Sequence, residues 1–150
     1  MTDDPAELHR RFGTLLVPLA RAYRRQLDRS LAGLALSHSM ALAVMLIGRG
    51  GDGMRQGALA EQLGMEAPSV VPIVDQMERA GLVERRVDAG DKRARTLHLT
   101  AAGRALAEQA EARTAEVRRA LLAGIDDDDL STAIRVLERL GDAIEIAGRD

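Results

Sequence analysis

The chain has 150 residues, a formal net charge of −2, 46% hydrophobic residues and 29% charged residues, a composition that favours one folded domain over a disordered chain. It contains no cysteine, which excludes disulfides, thiol redox sensing, zinc fingers and cysteine nucleophiles. Phe12 and Tyr23 are its only aromatic residues, which argues against binding modules that stack single-stranded DNA or RNA bases on aromatic side chains.

The first predicted helix runs from about Pro5 to Arg29. Its apolar residues recur at steps of three and four and form one stripe: Leu8, Phe12, Leu15, Leu19, Tyr23 and Leu27. Pro18 lies within this stripe, and because the periodicity continues beyond it, we expect a bend rather than an end of the helix. The residues before the stripe are charged and lack the apolar segment of a secretory signal.

The second predicted helix begins after Ser37, a suitable N-cap, and ends in the glycine-rich loop Gly48–Gly53. The segment Ser30–Gly48 has no formally charged residue and is just long enough to raise the question of a membrane span. Gly33 interrupts it, and polar residues lie at its middle. We therefore expect a turn and then a buried helix, in a soluble, cytoplasmic protein without membrane contact.

A short helix is predicted next, from about Arg55 to Leu63, and Gly64 is placed to end it in the left-handed conformation. The helix after it is amphipathic, and Gly81 follows its end. Its apolar side carries Val70, Ile73, Val74 and Met77, and its other side carries Ser69, Pro72, Gln76 and Arg79.

Pro72 is unusual within that helix. A proline in a helix interior costs about 3 kcal/mol, whereas the first turn tolerates it because the backbone N–H groups there are free. The regular helix is therefore expected to begin late, near Pro68 or Ser69, or to be bent there.

Two strands are predicted next, Leu82–Val87 and Ala94–Leu99, joined by the turn-forming residues 88–91. From Glu84 to Arg95 the chain has five basic residues against three acidic ones. Because consecutive residues of a strand point to opposite faces, Arg85 and Arg86 cannot both face the same partner, and we expect one of them to pair with a carboxylate.

Two long helices complete the chain. Thr100 is placed to cap the first, which runs to about Leu122, and the second begins at the aspartates 126–129. These carboxylates are interpreted as stabilising the positive end of the helix dipole rather than as a metal site, and His9, His38 and His98 show no paired ligand spacing. The wide apolar stripe of the last helix favours a dimer interface, with packing inside the chain as the alternative.

The order of these elements is that of a winged helix-turn-helix, in which one helix suits a DNA groove and a charged hairpin lies beside it. The segment GMEAPSVVPIVDQMERAGLVERRVDAGDKRARTLHLTAAG resembles the recognition helix and wing of the MarR family of bacterial transcriptional regulators, and within it the SlyA-like branch. ALLAGIDDDDLSTAIRVLERL is similar to the family's penultimate loop and last helix. The Asp-Lys-Arg wing pattern followed by LT-x-x-G is the most specific part.

The resemblance implies a mainly α fold with a small β-wing, and one domain over residues 1–150. Residues 37–100 would form the winged helix-turn-helix, and residues 1–36 and 101–150 a helical dimerisation region. Such a homodimer binds a pseudopalindromic operator in double-stranded DNA. It commonly represses transcription until a small aromatic or carboxylate effector releases it, although some SlyA-like members activate instead.

The main alternative is a helical protein-interaction module or antirepressor that uses the winged region to bind protein, which Pro72 and the negative net charge favour. An enzyme is not predicted, because the sequence has no nucleophile elbow, phosphate loop or paired catalytic carboxylates. No cofactor or metal is predicted either.

The resemblance assigns DNA contacts first to the wing. Its tip arginine, Arg93, would enter the minor groove, and Asp91 would hold the guanidinium by a charge-assisted hydrogen bond. The alternative is a solvated hairpin in which Asp91 only makes the turn. Lys92 and Arg95 are candidates for phosphate contacts, with solvated strand charges as an equal alternative.

On the recognition helix, Ser69 and Gln76 offer hydrogen bonds to bases, with helix capping as the alternative for Ser69. Pro68 and Arg86 complete the predicted DNA-contact set. SlyA-like relatives tend to carry arginine where this chain has Pro72. We therefore expect the operator preference to differ from theirs and more of the readout to come from the wing.

Four residues form the predicted effector site. His38 and Ser37 lie where related proteins place effector contacts, and Arg21 and Tyr23 are candidate partners for a carboxylate. The alternative is a structural, hydrogen-bonded histidine. The methionines of the central region are expected mainly in the core: Met40, Met45, Met54, Met65 and Met77.

Overall fold

The computed structural model describes residues 4–34, 36–51 and 53–148. The ends of the two predicted dimerisation segments (residues 1–3 and 149–150), Ala35 of the predicted turn and Asp52 of the predicted loop lie outside these residues. The elements in chain order are α1 (Pro5–Leu31), α2 (His38–Arg49), β1 (Met54–Arg55), α3 (Gln56–Leu63), α4 (Ala67–Arg79), β2 (Val83–Val87), β3 (Arg95–Leu99), α5 (Ala101–Leu122) and α6 (Asp127–Ala147). The predicted mainly helical fold with a small β-wing is confirmed.

Local signals in the sequence set most of the helix ends. α1 continues through Pro18 to Leu31, as its periodicity predicts. The Ser37 side chain caps α2 by accepting a hydrogen bond from the backbone N–H of Met40 at 3.3 Å. Gly64 ends α3 with a φ of 65°, a conformation that favours glycine because it has no Cβ.

Within the described residues, three strands form an antiparallel sheet in the order β1-β3-β2. Met54 of β1 and Arg85 of β2 both lie opposite Leu97 of β3, whose side chain is fully buried. β1 was not predicted, because two residues are too few to show an alternating pattern. Its pairing with β3 brings Arg55 next to the wing.

The main core joins α2, α3, α4, the sheet and the first half of α5. Its largest fully buried side chains include Val44, Ile47, Leu59, Val70, Val74, Met77 and Leu97. A smaller apolar cluster joins the end of α1 to α2 and α5: Leu31, Leu34, Ala41, Met45 and Ala110. Four of the five central methionines are buried, and Met65 packs against the main core.

The LT-x-x-G pattern is where the wing joins α5. Leu99 is buried, and the Thr100 hydroxyl donates to the Gly81 carbonyl at 2.7 Å and accepts from the Gly103 N–H at 3.1 Å. A Cβ on Gly103 would lie only 2.0 Å from the Leu82 carbonyl oxygen. The motif therefore caps α5 and lets its first turn pack directly on the chain that enters β2.

The chain divides into two compact units, the first ending at Val117 and the second beginning at Arg118. In the second unit, the Asp126 side chain caps α6 by accepting from the N–H groups of Asp128 and Asp129, each at 2.9 Å. None of the described α6 residues is buried. Exposed apolar side chains of α6 include Ile134, Val136, Leu137, Ile144 and Ile146. Among the described helices, none combines the length and apolarity that a membrane span requires.

Candidate nucleic-acid interface

The two faces of α4 are as predicted from its periodicity. Val70, Val74 and Met77 are fully buried against the core, and Ile73 is half-buried. The opposite face is exposed and carries Ser69, Pro72, Gln76 and Arg79. This outer face offers a mixed set of side chains, two with hydrogen-bonding groups suited to base edges and one with a positive charge.

The start of α4 lies one residue before the start expected near Pro68 or Ser69. The helix begins at Ala67, with Glu66 at the N-cap and Pro68 in the first turn, so Pro72 lies inside the helix. Since Pro72 has no N–H, the carbonyl of Pro68 loses its usual partner, but both residues are exposed and water can reach that carbonyl. Ser69 lies within the first turn, one residue after Pro68, and is not the N-cap. The capping alternative for Ser69 is therefore wrong.

Val71 was missed by sequence reasoning. It lies out of phase with the buried stripe of α4, and 39% of its surface is exposed. Together with Pro72 it gives the outer face of α4 an apolar part, which suits contact with the C5-methyl group of thymine. Its position outside the core periodicity was the signal that could have identified it.

The hairpin between β2 and β3 is closed by Asp88. Its Oδ1 accepts from the N–H groups of Gly90 and Asp91 at 2.8 and 2.9 Å, and its Oδ2 accepts from Arg55 Nε at 3.1 Å. The hydrogen bond from the Gly90 N–H, followed by that from Arg55, lowers the pKa of the Asp88 carboxyl below its ordinary value of 3.8. A carboxylate that stays ionised thus fixes the base of the wing tip.

We expect the hairpin turn to resist mild acid. Because the pKa of Asp88 is lower in the folded state than in the unfolded state, its contribution to stability is complete above 3.8 and is lost only as the pH falls through the folded-state pKa. An NMR titration of the Asp88 carboxyl carbon should have a midpoint below 3.8, and protection of the Gly90 N–H should decline in the same step. A midpoint at or above 3.8 would contradict this geometry.

At the wing tip, Asp91 acts on the backbone. Its Oδ1 accepts from the backbone N–H of Arg93 at 2.9 Å. The described structure has no hydrogen bond from the Arg93 guanidinium to this carboxylate, which instead holds the turn. Asp91 therefore shapes the loop that presents Arg93, whose side chain is exposed.

Lys92 and Arg95, the other two cations near the wing tip, are also exposed. Arg95 Nη1 donates to the carbonyls of Lys92 and Ala94 at 3.1 and 3.2 Å, which leaves the remaining donors of its guanidinium available. The phosphate contacts assigned to Lys92 and Arg95 stay predictions.

A groove lies between the first turn of α3 and the hairpin, with a volume of about 490 Å³. Arg55, Arg93 and Arg95 line it, as does Glu61. Sequence reasoning missed Arg55, since its place beside the wing depends on the pairing of β1 with β3. Three guanidinium groups around one groove suit the oxygens of a phosphate backbone.

Arg85 and Arg86 differ as their alternation predicts. The Arg85 guanidinium is mostly buried and pairs with Asp75 and Glu78 of α4, each at 2.6 Å. Arg86 is exposed and pairs with the exposed Glu84 at 3.0 Å, a pair that contributes little to stability in water. Arg86 can therefore exchange Glu84 for another anion, whereas the Arg85 guanidinium is held by Asp75 and Glu78.

The structure separates the four predicted effector residues. His38 Nε2 lies 3.0 Å from Asp28 Oδ1, and both residues line a cavity of about 130 Å³ between α1, α2, α3 and α5. The Ser37 side chain caps α2. Arg21 and Tyr23 are exposed on α1, and neither lines this cavity. Sequence reasoning missed Asp28, because its position beside His38 depends on the packing of α1 on α2.

Comparisons with known proteins agree with this architecture. The model of the MarR family matches residues 32–94. The solved structure of the transcriptional regulator PA3341 is 37% identical, with a TM-score of 0.83 over 89% of this chain and 98% of its own. A mutant of MarR from E. coli in complex with operator DNA is 21% identical, with a TM-score of 0.73 over 92% of this chain and 99% of its own. CouR from Rhodococcus jostii RHA1, bound to p-coumaroyl-CoA, is 23% identical, with a TM-score of 0.75 over 86% of this chain and 90% of its own.

Proposed function

This chain belongs to the MarR family of transcriptional regulators, and from that premise we propose that two copies bind a pseudopalindromic operator in double-stranded DNA and repress transcription. The observation that carries the proposal is the exposed outer face of α4 beside a hairpin whose tip presents exposed cations. A helix of this kind fits the major groove, and a basic hairpin next to it reaches the flanking backbone and minor groove.

Different residues of this surface contact the bases, the minor groove and the phosphates. Ser69 and Gln76 read base edges, and the neighbouring apolar residues of α4, Pro68 included, contact thymine methyl groups or the groove wall. Arg93 enters the minor groove, where the negative potential is strongest when the groove is narrow. Phosphate contacts come from Lys92, Arg95, Arg86 and the newly found Arg55. The fold-level likeness to MarR from E. coli in complex with operator DNA supports this placement.

The homodimer is supported by apolar side chains that the single chain leaves in water. On α1, Leu8, Phe12, Leu15 and Leu19 are exposed, and α6 exposes a second set. Rows of large apolar residues on two helices are rare on monomeric surfaces and mark sites of association. A two-fold dimer would place two α4 helices about one DNA turn apart on one face of the duplex.

Release by an effector is the regulatory part of the proposal. The cavity beside His38 and Asp28 is a candidate contact region in this chain, with Ser37, Arg21 and Tyr23 as the further predicted effector residues. CouR, a relative of the same fold, was solved with a bound aromatic acyl-CoA. We therefore propose a small aromatic or carboxylate effector that binds the DNA-free state more tightly and so shifts the population away from the operator.

Selection of bound fragments from sheared genomic DNA tests the function. The enriched fragments should share a pseudopalindromic site, and a titration on one of them should show affinity that falls steeply with added salt, because several phosphate contacts release counterions. A scrambled fragment of the same length and base composition is the control. Equal binding to both fragments would contradict sequence-specific recognition. A protein complex that is insensitive to salt, formed by a protein without DNA affinity, would favour a protein-interaction module instead.

A further inference from the structure

Arg85 links three elements through one side chain. It lies in β2, with its backbone paired to β3 opposite Leu97. Its Nη2 lies 2.6 Å from Asp75 Oδ1, and its Nη1 lies 2.6 Å from Glu78 Oε2. Its Nε donates to Gln56 Oε1, in the first turn of α3, at 3.1 Å. All three guanidinium nitrogens are therefore used inside the protein.

Glu78 strengthens the same junction. Its second carboxylate oxygen, Oε1, accepts from the backbone N–H of Arg85 at 3.2 Å, so α4 holds both the main chain and the side chain of one β2 residue. Only 21% of the Arg85 side chain is exposed, against 35% for Glu78 and 46% for Asp75, so its ion pairs are partly shielded from water. The planar fork of arginine serves these divergent acceptors together, which a lysine ammonium cannot do.

We propose that Arg85 is a positioning residue that joins the wing to the recognition helix, so that both meet DNA as one rigid unit. The inference rests on the proposed DNA-binding function, and it assigns Arg85 no contact with DNA. The hairpin projects from β2 and β3, and in the described residues Arg85 ties β2 to α4 through its side chain and its backbone N–H, in addition to the packing of the sheet on the core. With the junction intact, the direction of Arg93 is fixed relative to the outer face of α4.

Besides joining the wing to α4, the positive charge of Arg85 has an electrostatic effect on DNA binding, and the experiment must separate the two. Asp75 and Glu78 lie on the helix that would approach the phosphates, and Arg85 offsets part of their negative charge. An uncharged substitution would add repulsion to any loss of rigidity. Arg85→Lys keeps the charge and removes the planar fork. Arg25→Lys is the control, because it makes the same substitution at an exposed residue of α1 to which no DNA contact is assigned.

A double-mutant cycle with Arg93→Ala measures the coupling. In the wild-type and Arg25→Lys backgrounds, Arg93→Ala should lower operator affinity by about 30-fold. In the Arg85→Lys background it should lower affinity by about threefold or less, because a loosened wing no longer holds Arg93 in the groove. Equal losses in all three backgrounds would overturn the proposal.

Amide hydrogen exchange of the DNA-free protein distinguishes a local loosening of the hairpin from a loss of global stability, which would also lower protection in the core helices. Arg85→Lys should speed exchange in residues 86–95 while protection in α2 and α5 is unchanged, and Arg25→Lys should alter neither. If Arg85→Lys fails to fold, Asp75→Asn weakens the same junction from α4 and should give intermediate coupling. Unchanged exchange in the hairpin contradicts the inference, whereas wild-type protein that binds no operator contradicts the proposed function instead.

Discussion

Arg93→Ala is expected to weaken operator binding by about 30-fold or more, since each of two copies loses a groove contact worth about 1–3 kcal/mol. The Arg93 side chain is exposed at the wing tip, and the backbone around it is set by Asp91 and Asp88. The substitution should therefore leave the fold intact. Fluorescence anisotropy on a labelled operator, at several salt concentrations, measures the loss, and the salt dependence should become shallower because two positive charges are removed.

The control for this result is Arg25→Ala, which removes the same charge from an exposed position on α1, away from α4 and the hairpin. Its effect on affinity should be small. If Arg93→Ala binds the operator as tightly as the wild type, the wing tip is not part of the DNA interface, even though the protein binds DNA.

Gly103→Ala should have the largest effect on stability. The new Cβ would lie 2.0 Å from the Leu82 carbonyl oxygen and 3.2 Å from a Leu99 methyl carbon. Because the first of these is backbone, the start of α5 must move away from the chain entering β2, which also disturbs the Thr100 cap. We expect a loss of about 2–3 kcal/mol in the free energy of unfolding, measured by chemical denaturation at fixed protein concentration.

Gly57→Ala is the matched control, because a Cβ there meets nothing within 4 Å. Alanine in the first turn of α3 should be neutral or slightly stabilising. Equal stability of the Gly103→Ala and wild-type proteins would show that α5 does not pack as closely on the wing as the structure has it.

The helices were predictable because their signals are local. The stripe of α1 predicted a helix from Pro5 to about Arg29, and the structure extends it only to Leu31. Ser37, Gly64 and Asp126 end or begin helices as their side chains and backbone preferences predict. The two longer strands each differ from their predicted range by one residue at the start.

The site was less predictable because its contacts join distant parts of the chain. That Arg85, and not Arg86, pairs with α4 depends on which face of β2 packs on that helix. Arg55 reaches the wing only because β1 pairs with β3. At the tip, Asp91 accepts a hydrogen bond from the backbone N–H of Arg93, a contact that depends on the conformation of the turn.

Pro72 lies near the start of α4. The rule that proline avoids helix interiors predicted a start near Pro68 or Ser69, or a bend there; α4 begins at Ala67, one residue before Pro68, and continues through Pro72. On its inner side the helix is held against the core by Val70, Val74 and Met77, which are fully buried. The lost hydrogen bond falls on the exposed side.

Hydroxyl-radical footprinting on a selected operator fragment tests the central claim most directly. Two copies bound through α4 and the wing should protect two backbone regions related by a two-fold axis and separated by about one helical turn. In the Arg93→Ala protein the outer protections, at the flanking minor grooves, should weaken while the inner ones persist. Protection of a single unsymmetrical stretch, or none at concentrations where the protein is folded, would contradict the account.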